Sequence, residues 1–478
     1  MNGTRSRAKR RCGGAAALTL TSIPADVFQA VVAFAAPTLA DVTALASLSR
    51  YFRTLMSSPQ MAFHVRANFT AVWDRLDQLG PLVQGVRATH AQTVSNLSML
   101  SCMPRLRVLE LPHGDFSSDM FNEAMAHVPH LHMLNVNSCP NLSVINNLPS
   151  GLCVLKVSSC SNLCRLPDML PNVNHLDVTY CGQLHMLPQM PELEVLKMID
   201  CPARLSTSST VRHLKKQLVS ADIASISECT KMEILDMTEC NVADLDFALK
   251  LKNLVTLSLD FIERDIMIDM TALANLQNLK VLRLENEVTD DHLTIIGRLS
   301  NLFSLTLMSH LITDDGIREI GKIKGLVYLS LDNYDCLGIT ATGLGFCAGM
   351  TGLHALTLKY CIGVEDLVTV ANIPGLRALS LVGCSSISNL GALGKLTALH
   401  TLEFDSCDSV TTLSGLNSIP KLETLTVLCC RNLSRGGMWA LLPCQSLKHL
   451  KMCEHTCELL VEGDLEPFHT HNIALQFI

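Results

Sequence analysis

The sequence predicts an α/β fold, a solenoid of short parallel strands preceded by a small helical domain. Three observations carry that reading. An L-x-x-L-x-L unit opens at Leu106, Leu131, Leu152, Val173 and Leu193, and passes through a poorer copy at Val211. It resumes at Met232, Leu254, Leu279, Leu302 and Leu326, and ends with Leu353, Leu376, Leu399, Leu422 and Leu447. These are about sixteen units at steps of 18 to 27 residues, with a degenerate copy at Val83 before them, a regularity that chance apolar clustering does not produce. Second, a cysteine recurs at the ninth place of the unit, as Cys139, Cys160, Cys181, Cys201, Cys240, Cys361, Cys384, Cys407 and Cys430. Third, 48% of the 478 residues are hydrophobic but only 4% are aromatic, so the core consists of thin side chains that suit stacked layers. A chain of this length built from repeats needs no single core.

Residues 1–21 form a basic tail. Arg5, Arg7, Lys9, Arg10 and Arg11 precede any acid, the first being Asp26. Such a run is a solvated tail, a nuclear signal or an organelle transit peptide, and the sequence leaves these three open. The apolar stretch that follows is too weak for a secretory signal, which points to a cytoplasmic or nuclear chain with a transit peptide as the further option. No apolar run approaches the roughly 18 residues of a membrane helix, and a net charge of −7 is too mild to announce nucleic acid.

Residues 22–66 contain no L-x-x-L-x-L unit. Val27, Ala30, Val31 and Phe34 have helical spacing up to Pro37, which breaks it. A second helical run carries Val42, Leu45, Leu48 and Phe52, and Ser58-Pro59 ends it; a third short helix is expected over Met61–Val65. Ile23-Pro24, Asp41-Val42, Leu45, Leu48, Ser49-Arg50 and Phe52-Arg53 resemble the F-box pattern. Departures are Ile23 and Val42 for leucine, the Ala35-Ala36-Pro37 bend, and Phe63 in place of tryptophan. The resemblance implies docking on a Skp-family adaptor of a cullin-based ubiquitin ligase through Ile23, Pro24, Leu39, Asp41, Val42, Leu45, Leu48 and Phe52. The same composition suits a helical cap that shields the apolar edge of the first repeat. Residues 67–82 are a linker or capping helix.

Residues 83–460 carry the repeats, and their pattern resembles the leucine-rich repeat signature LxxLxLxx(N/C)xL. The resemblance implies one short strand per unit, with the first, fourth and sixth places facing the interior and the strands lining a concave face. At the ninth place a thiol is compact enough to bury and still donates weakly, so the cysteine ladder reads as structure; His310 and His455 stand at this place in two other units. Parallel strands lie about 4.8 Å apart, near enough for disulfides, but side chains in register run alongside one another without converging. Units between residues 148 and 201 have Leu-Pro returns too short for a full helix. Those over 279–326 have room for one, with Asp290 and Asp314 as expected N-caps. The "ITDDGI" subtype is similar to the cysteine-containing repeats of F-box proteins, and the mixed repeat lengths resemble repeat proteins of trypanosomatid protozoa. Residues 461–478 are expected to cap the end.

No phosphate loop, H-E-x-x-H or G-x-S-x-G element is present. Cys429, Cys430, Cys444, Cys453, His455 and Cys457 lie close in sequence, but no C-x-x-C pair accompanies them, so they read as core or cap residues and not as a zinc site. The expectation is therefore a chain that is not an enzyme and takes no cofactor or metal, binding protein partners and neither nucleic acid nor membrane. Solvent-facing strand places offer the contact surface. Asp236, Glu239, Asp260, Glu285 and Asp332 form an acidic strip with Arg283 as its cation, suited to a basic segment of a partner, and Tyr328 and Tyr360 are candidate anchors. Two functions remain open: a substrate receptor of a cullin-based ubiquitin ligase, or a scaffold subunit of a larger assembly.

Overall fold

The computed structural model describes residues 63–67, 83–88, 97–205, 210–217, 222–240, 242–261, 268–286, 288–334, 337–453, 466–471 and 473–477. All eight residues assigned to adaptor docking, Ile23 to Phe52, lie outside this set, as do His455 and Cys457. The chain divides into two compact units, one of residues 1–192 and 201–203, the other of residues 193–200 and 204–478.

In the first unit, strands β1 (Phe63–Ala67), β2 (Val83–Ala88), β3 (Val108–Glu110), β4 (Met133–Asn135), β5 (Val154–Lys156) and β6 (His175–Asp177) pair in parallel and in sequence order. The fourth-place residues Leu109, Leu134, Leu155 and Leu176 stand opposite one another with no exposed surface. Each such burial contributes about 1.5–3 kcal/mol, and no unit could achieve it without a neighbour. The return side of the Leu106 unit holds a helix, Ser118–Met125, capped by the Ser117 hydroxyl, which accepts from Met120 N–H. The shorter Leu-Pro returns have only single parallel bridges, Val144 with Arg165 and Met169 with Gln189.

The helix expected over Met61–Val65 is not formed; Phe63–Ala67 is a strand that pairs with β2. A helical turn keeps its hydrogen bonds to itself, whereas this backbone exchanges them with the ladder, and pairing overrides the local pattern. Among the described residues, the first rung of the ladder thus lies largely inside the segment assigned to the F-box-like domain.

The second unit continues the same construction through β7 (Val195–Met198), β8 (His213–Gln217), β9 (Ile234–Cys240), β10 (Thr256–Phe261), β11 (Val281–Glu285), β12 (Ser304–Met308), β13 (Tyr328–Asp332), β14 (Ala355–Lys359), β15 (Ala378–Val382), β16 (Thr401–Asp405), β17 (Thr424–Leu428), β18 (His449–Met452) and β19 (Ala474–Phe477). Registers run without slip from β10 to β19, and the fourth-place leucines from β10 to β18 again form one buried row, with Leu475 of β19 half-buried at its end. Because β19 pairs with β18, part of the segment expected to be a cap is itself a rung. Helices Asp290–Ile296 and Asp314–Ile320 fill the longer returns. Their N-caps are Thr289 and Thr313, one residue earlier than the expected Asp290 and Asp314. The aspartates are free to do something else, because the threonine side chains already accept the first-turn N–H groups.

The ladder cysteines are buried; Cys201 donates to Leu184 O at 3.7 Å, while several others donate to the sixth-place carbonyl of the preceding unit: Cys160 to Val136 at 3.2 Å, Cys181 to Val157 at 3.1 Å, Cys384 to Leu358 at 3.5 Å and Cys407 to Leu381 at 3.3 Å. Cys139 does the same to Leu111. The residue before the cysteine takes left-handed backbone at Ser138, Ser159, Tyr180, Asp200, Glu239, Tyr360, Gly383, Ser406 and Cys429, a turn that sends the chain away from the strand and the thiol inward. His310 does not share this role. It is exposed, and Ser309 one place earlier is buried and donates to Val288 O at 2.8 Å. In the next unit Asn333, fully buried, donates to Ser309 O and Ile312 O. An imidazole is too large for the space a thiol fills, so these longer returns recruit a smaller or better-hydrogen-bonded side chain.

Candidate functional site: the strand face of the second unit

Alternation along each strand puts places three, five and seven on the solvent side, and the registers convert sequence positions into columns. The seventh-place column reads Asp260, Glu285, Met308, Asp332, Lys359 across β10 to β14. The fifth-place column reads Asp236, Ser258, Arg283, Thr306, Ser330, Thr357. The predicted acidic strip therefore separates into two sets.

Asp236 and Glu239 are engaged within the sheet. Asp236 pairs with Lys215 Nζ at 2.7 Å, and the Glu239 carboxylate accepts from the Gln217 amide. Asp260, Glu285 and Asp332 form the other set. Asp260 lies directly opposite Glu285, a like-charge pairing that destabilises a sheet. Glu285 is paired along its own strand with Arg283, and Asn286 Nδ2 donates to Asp260 Oδ1 at 3.1 Å. Partial burial, and then the nearby Glu285 charge, hold the Asp260 carboxyl above the usual range despite the Asn286 bond. Burial also raises the Asp332 carboxyl, with Lys359 opposing the effect, and its Oδ1 has no hydrogen-bond partner. Two carboxylates held at an unfavourable ionisation state on one open column are suited to receive a cation from outside.

Tyr360 belongs to this region, and Tyr328 stands at the third place of its unit, the first residue of β13, half-buried. Sequence reading missed the residue that completes the aromatic element. Tyr334, 51% exposed, stacks on Tyr360, 39% exposed, with ring centroids 6.3 Å apart and planes within 9°. Tyr360 also covers Gly383, where an added Cβ would fall 2.4 Å from its ring. The pair borders the column at Asp332, two residues before Tyr334. Both tyrosines have left-handed backbone, and that turn aims them outward; strand periodicity alone does not show it.

Elsewhere, among the described residues, no group of three or more His, Cys, Asp or Glu side chains is arranged to hold a metal ion. No helix among them is long and apolar enough to cross a membrane.

No protein-family model matches the chain, and no curated protein matches it. Solved structures do resemble it. An internalin from Listeria monocytogenes is 19% identical over 74% of this chain and 88% of that one, with a TM-score of 0.42. A leucine-rich repeat protein of Leptospira interrogans is 18% identical over 90% and 92%, with a TM-score of 0.40. The structure of a TLR13–ssRNA13 complex is 14% identical over 83% and 70%, with a TM-score of 0.48. The fold is that of a leucine-rich repeat protein, and it is the strand ladder that carries this statement; likenesses this distant add nothing about ligands.

Proposed function

We propose that the protein is a non-catalytic receptor for protein partners. Its contact surface is the strand face of the second unit around Asp260, Glu285, Asp332 and the Tyr334–Tyr360 pair, with Tyr328 at its edge and Asp236 and Glu239 as its structured border. The observation that carries this reading is the seventh-place column, in which two carboxyls with raised pKa values stand beside two stacked, exposed aromatic rings. A partner segment bearing Lys or Arg would relieve the charge and stack on the tyrosines. Asp260→Asn, Glu285→Gln and Asp332→Asn together should weaken partner capture at least tenfold and flatten its dependence on salt; unchanged capture would place the surface elsewhere.

The finer role is that of a substrate receptor of a cullin-based ubiquitin ligase, with Ile23, Pro24, Leu39, Asp41, Val42, Leu45, Leu48 and Phe52 meeting a Skp-family adaptor. It rests on the sequence of that segment. In such an assembly the chain would supply geometry and a neighbouring enzyme the chemistry, by raising the substrate's effective concentration. A second reading, a scaffold subunit whose N-terminal segment merely caps the ladder, is favoured by the pairing of Phe63–Ala67 with β2. Affinity capture separates them. The tagged chain with Pro24→Ala and Leu45→Asp, and a chain beginning at residue 53 that keeps β1, should both lose adaptor and cullin if the receptor role holds. Recovery of one stoichiometric assembly without adaptor, by all forms of the chain, leaves the scaffold.

A further inference from the structure

Two cysteines depart from the ladder. Cys429 occupies the eighth place of its unit, directly before the ladder residue Cys430, and has left-handed backbone. Cys453 occupies the seventh place of the next unit, just past the end of β18. Their sulfurs lie 3.8 Å apart, and the Cys429 N–H donates to Cys453 Sγ at 3.1 Å. Whereas ladder thiols are buried against carbonyls, both of these are partly exposed. Cys430 is no competitor, since it is 1% exposed and burial pushes its thiol up to about 12. The turn explains the convergence. In-register side chains on neighbouring strands run alongside one another, but Leu428 is the last residue of β17, and the reversal at Cys429 swings its sulfur across to the next rung.

We propose that Cys429 and Cys453 form a reversible disulfide under hydroperoxide, a redox modification site linking the turn after β17 to the end of β18. The sulfurs need to close by a little under 2 Å to reach the roughly 2.05 Å of a disulfide bond, a movement available to side-chain rotation. One thiolate attacks the terminal oxygen of the hydroperoxide. The O–O bond breaks, the distal oxygen is transferred to sulfur, and the departing oxygen leaves as water or alcohol. The second sulfur then displaces the sulfenic oxygen, which leaves as water. Two thiols lose two electrons and two protons, and one hydroperoxide is reduced. Burial raises the Cys429 thiol, followed by its contact with Cys453, so the reaction accelerates as pH rises.

The test treats the full chain with hydrogen peroxide at pH 8, blocks remaining thiols with maleimide, digests without reduction and maps linked peptides by mass spectrometry. Exposed Cys164 reports that the oxidant has acted. The expected result is a link between Cys429 and Cys453 that dithiothreitol reverses. It should form at least tenfold faster in the folded chain than in urea, persist in Cys457→Ser and disappear in Cys453→Ser. Oxidation of Cys164 with Cys429 and Cys453 still fully labelled overturns the proposal. So does a link from Cys429 to any other cysteine, or equal rates folded and unfolded. The wild-type measurement stands even where a variant folds poorly.

Discussion

The carboxylate of Asp290 is bound by Thr313, one repeat later: its Oδ1 accepts the Thr313 N–H at 2.9 Å and its Oδ2 accepts the Thr313 hydroxyl at 2.5 Å. Asp314 holds Thr340 in the same way, at 2.8 and 2.6 Å. Each aspartate opens one helix and secures the N-cap of the next, so the returns of three successive units are tied by charged acceptors. The contact needs a residue without a side chain, since an added Cβ would fall 2.3 Å from Asp290 Oδ1 at Gly316 and 2.1 Å from Asp314 Oδ1 at Gly343.

Asp290→Ala should therefore destabilise the second unit by about 2 kcal/mol, as loss of hydrogen bonds to a charged group does. Gly316→Ala should cost about 1–3 kcal/mol through overpacking of the same contact. Urea unfolding of both variants and their combination checks this. The double variant should lose less than the sum, because the clash of the methyl with the carboxylate is then gone and only that with Leu293 Cδ1, at 2.6 Å, remains.

A buried ion pair makes the opposite prediction for single and paired changes. Lys216 stands at the sixth, core-facing place of the Val211 unit, 4% exposed, and its Nζ lies 3.2 Å from the carboxylate of Asp222, 2% exposed. Lys216→Met alone should cost about 3–5 kcal/mol by stranding the carboxylate. Combining Lys216→Met with Asp222→Leu should be near neutral or stabilising, because no buried charge is then left unpaired. A double-mutant cycle in urea decides whether the pair is a coupled unit.

How much of this was legible follows from what each feature depends on. Every strand from β3 to β18 sits on an L-x-x-L-x-L unit, because burial of the first, fourth and sixth places is a property of spacing. The Val211 unit was legible as a weak copy, since Lys216 breaks the pattern, but its partner was not: Asp222 follows the strand in a stretch with no periodicity. Threonine capping was misplaced by one residue because Thr289-Asp290 offers two good cap side chains in succession, and only the backbone angles choose between them. The acidic column was half legible. Spacing located Asp260, Glu285 and Asp332, yet Lys215 and Gln217, which engage Asp236 and Glu239, act across the register. Tyr334 escaped because the longer return moves the buried side chain to Asn333. The strand at Phe63–Ala67 was not legible at all, for its pairing is a matter of tertiary contact.

The open column has a pH signature. The Asp332 carboxyl is raised, chiefly by burial, so the native state holds that proton more tightly than the unfolded chain does. The linkage makes stability fall as pH rises from below about 4 through the folded value. Asp332→Asn should therefore melt at a higher temperature than the native chain at pH 7, with the advantage vanishing near pH 3. Melting curves at the two pH values check it, and the same variant should bind a basic partner less well, the exchange of stability for binding expected at a contact surface.

The ladder thiols that burial raises should limit the stable range on its alkaline side. Burial pushes Cys181, Cys240, Cys407 and Cys430 up to about 12 and Cys384 to about 11. In the unfolded chain they ionise at about 8.5. The folded state thus keeps its protons while the unfolded state releases them, so this contribution is whole below about 8.5 and is lost as pH climbs through about 11 to 12. The urea midpoint should fall steadily above pH 9. At pH 8 maleimide should modify Cys164 within minutes and leave Cys181, Cys384 and Cys407 intact in the folded chain, because a buried protonated thiol is a poor nucleophile. Replacing Cys384 and Cys407 by serine should lessen the alkaline loss, since serine has no proton to release in this range. If the alkaline slope is unchanged in that double variant, the loss comes from other groups and the thiols are inert over the whole range.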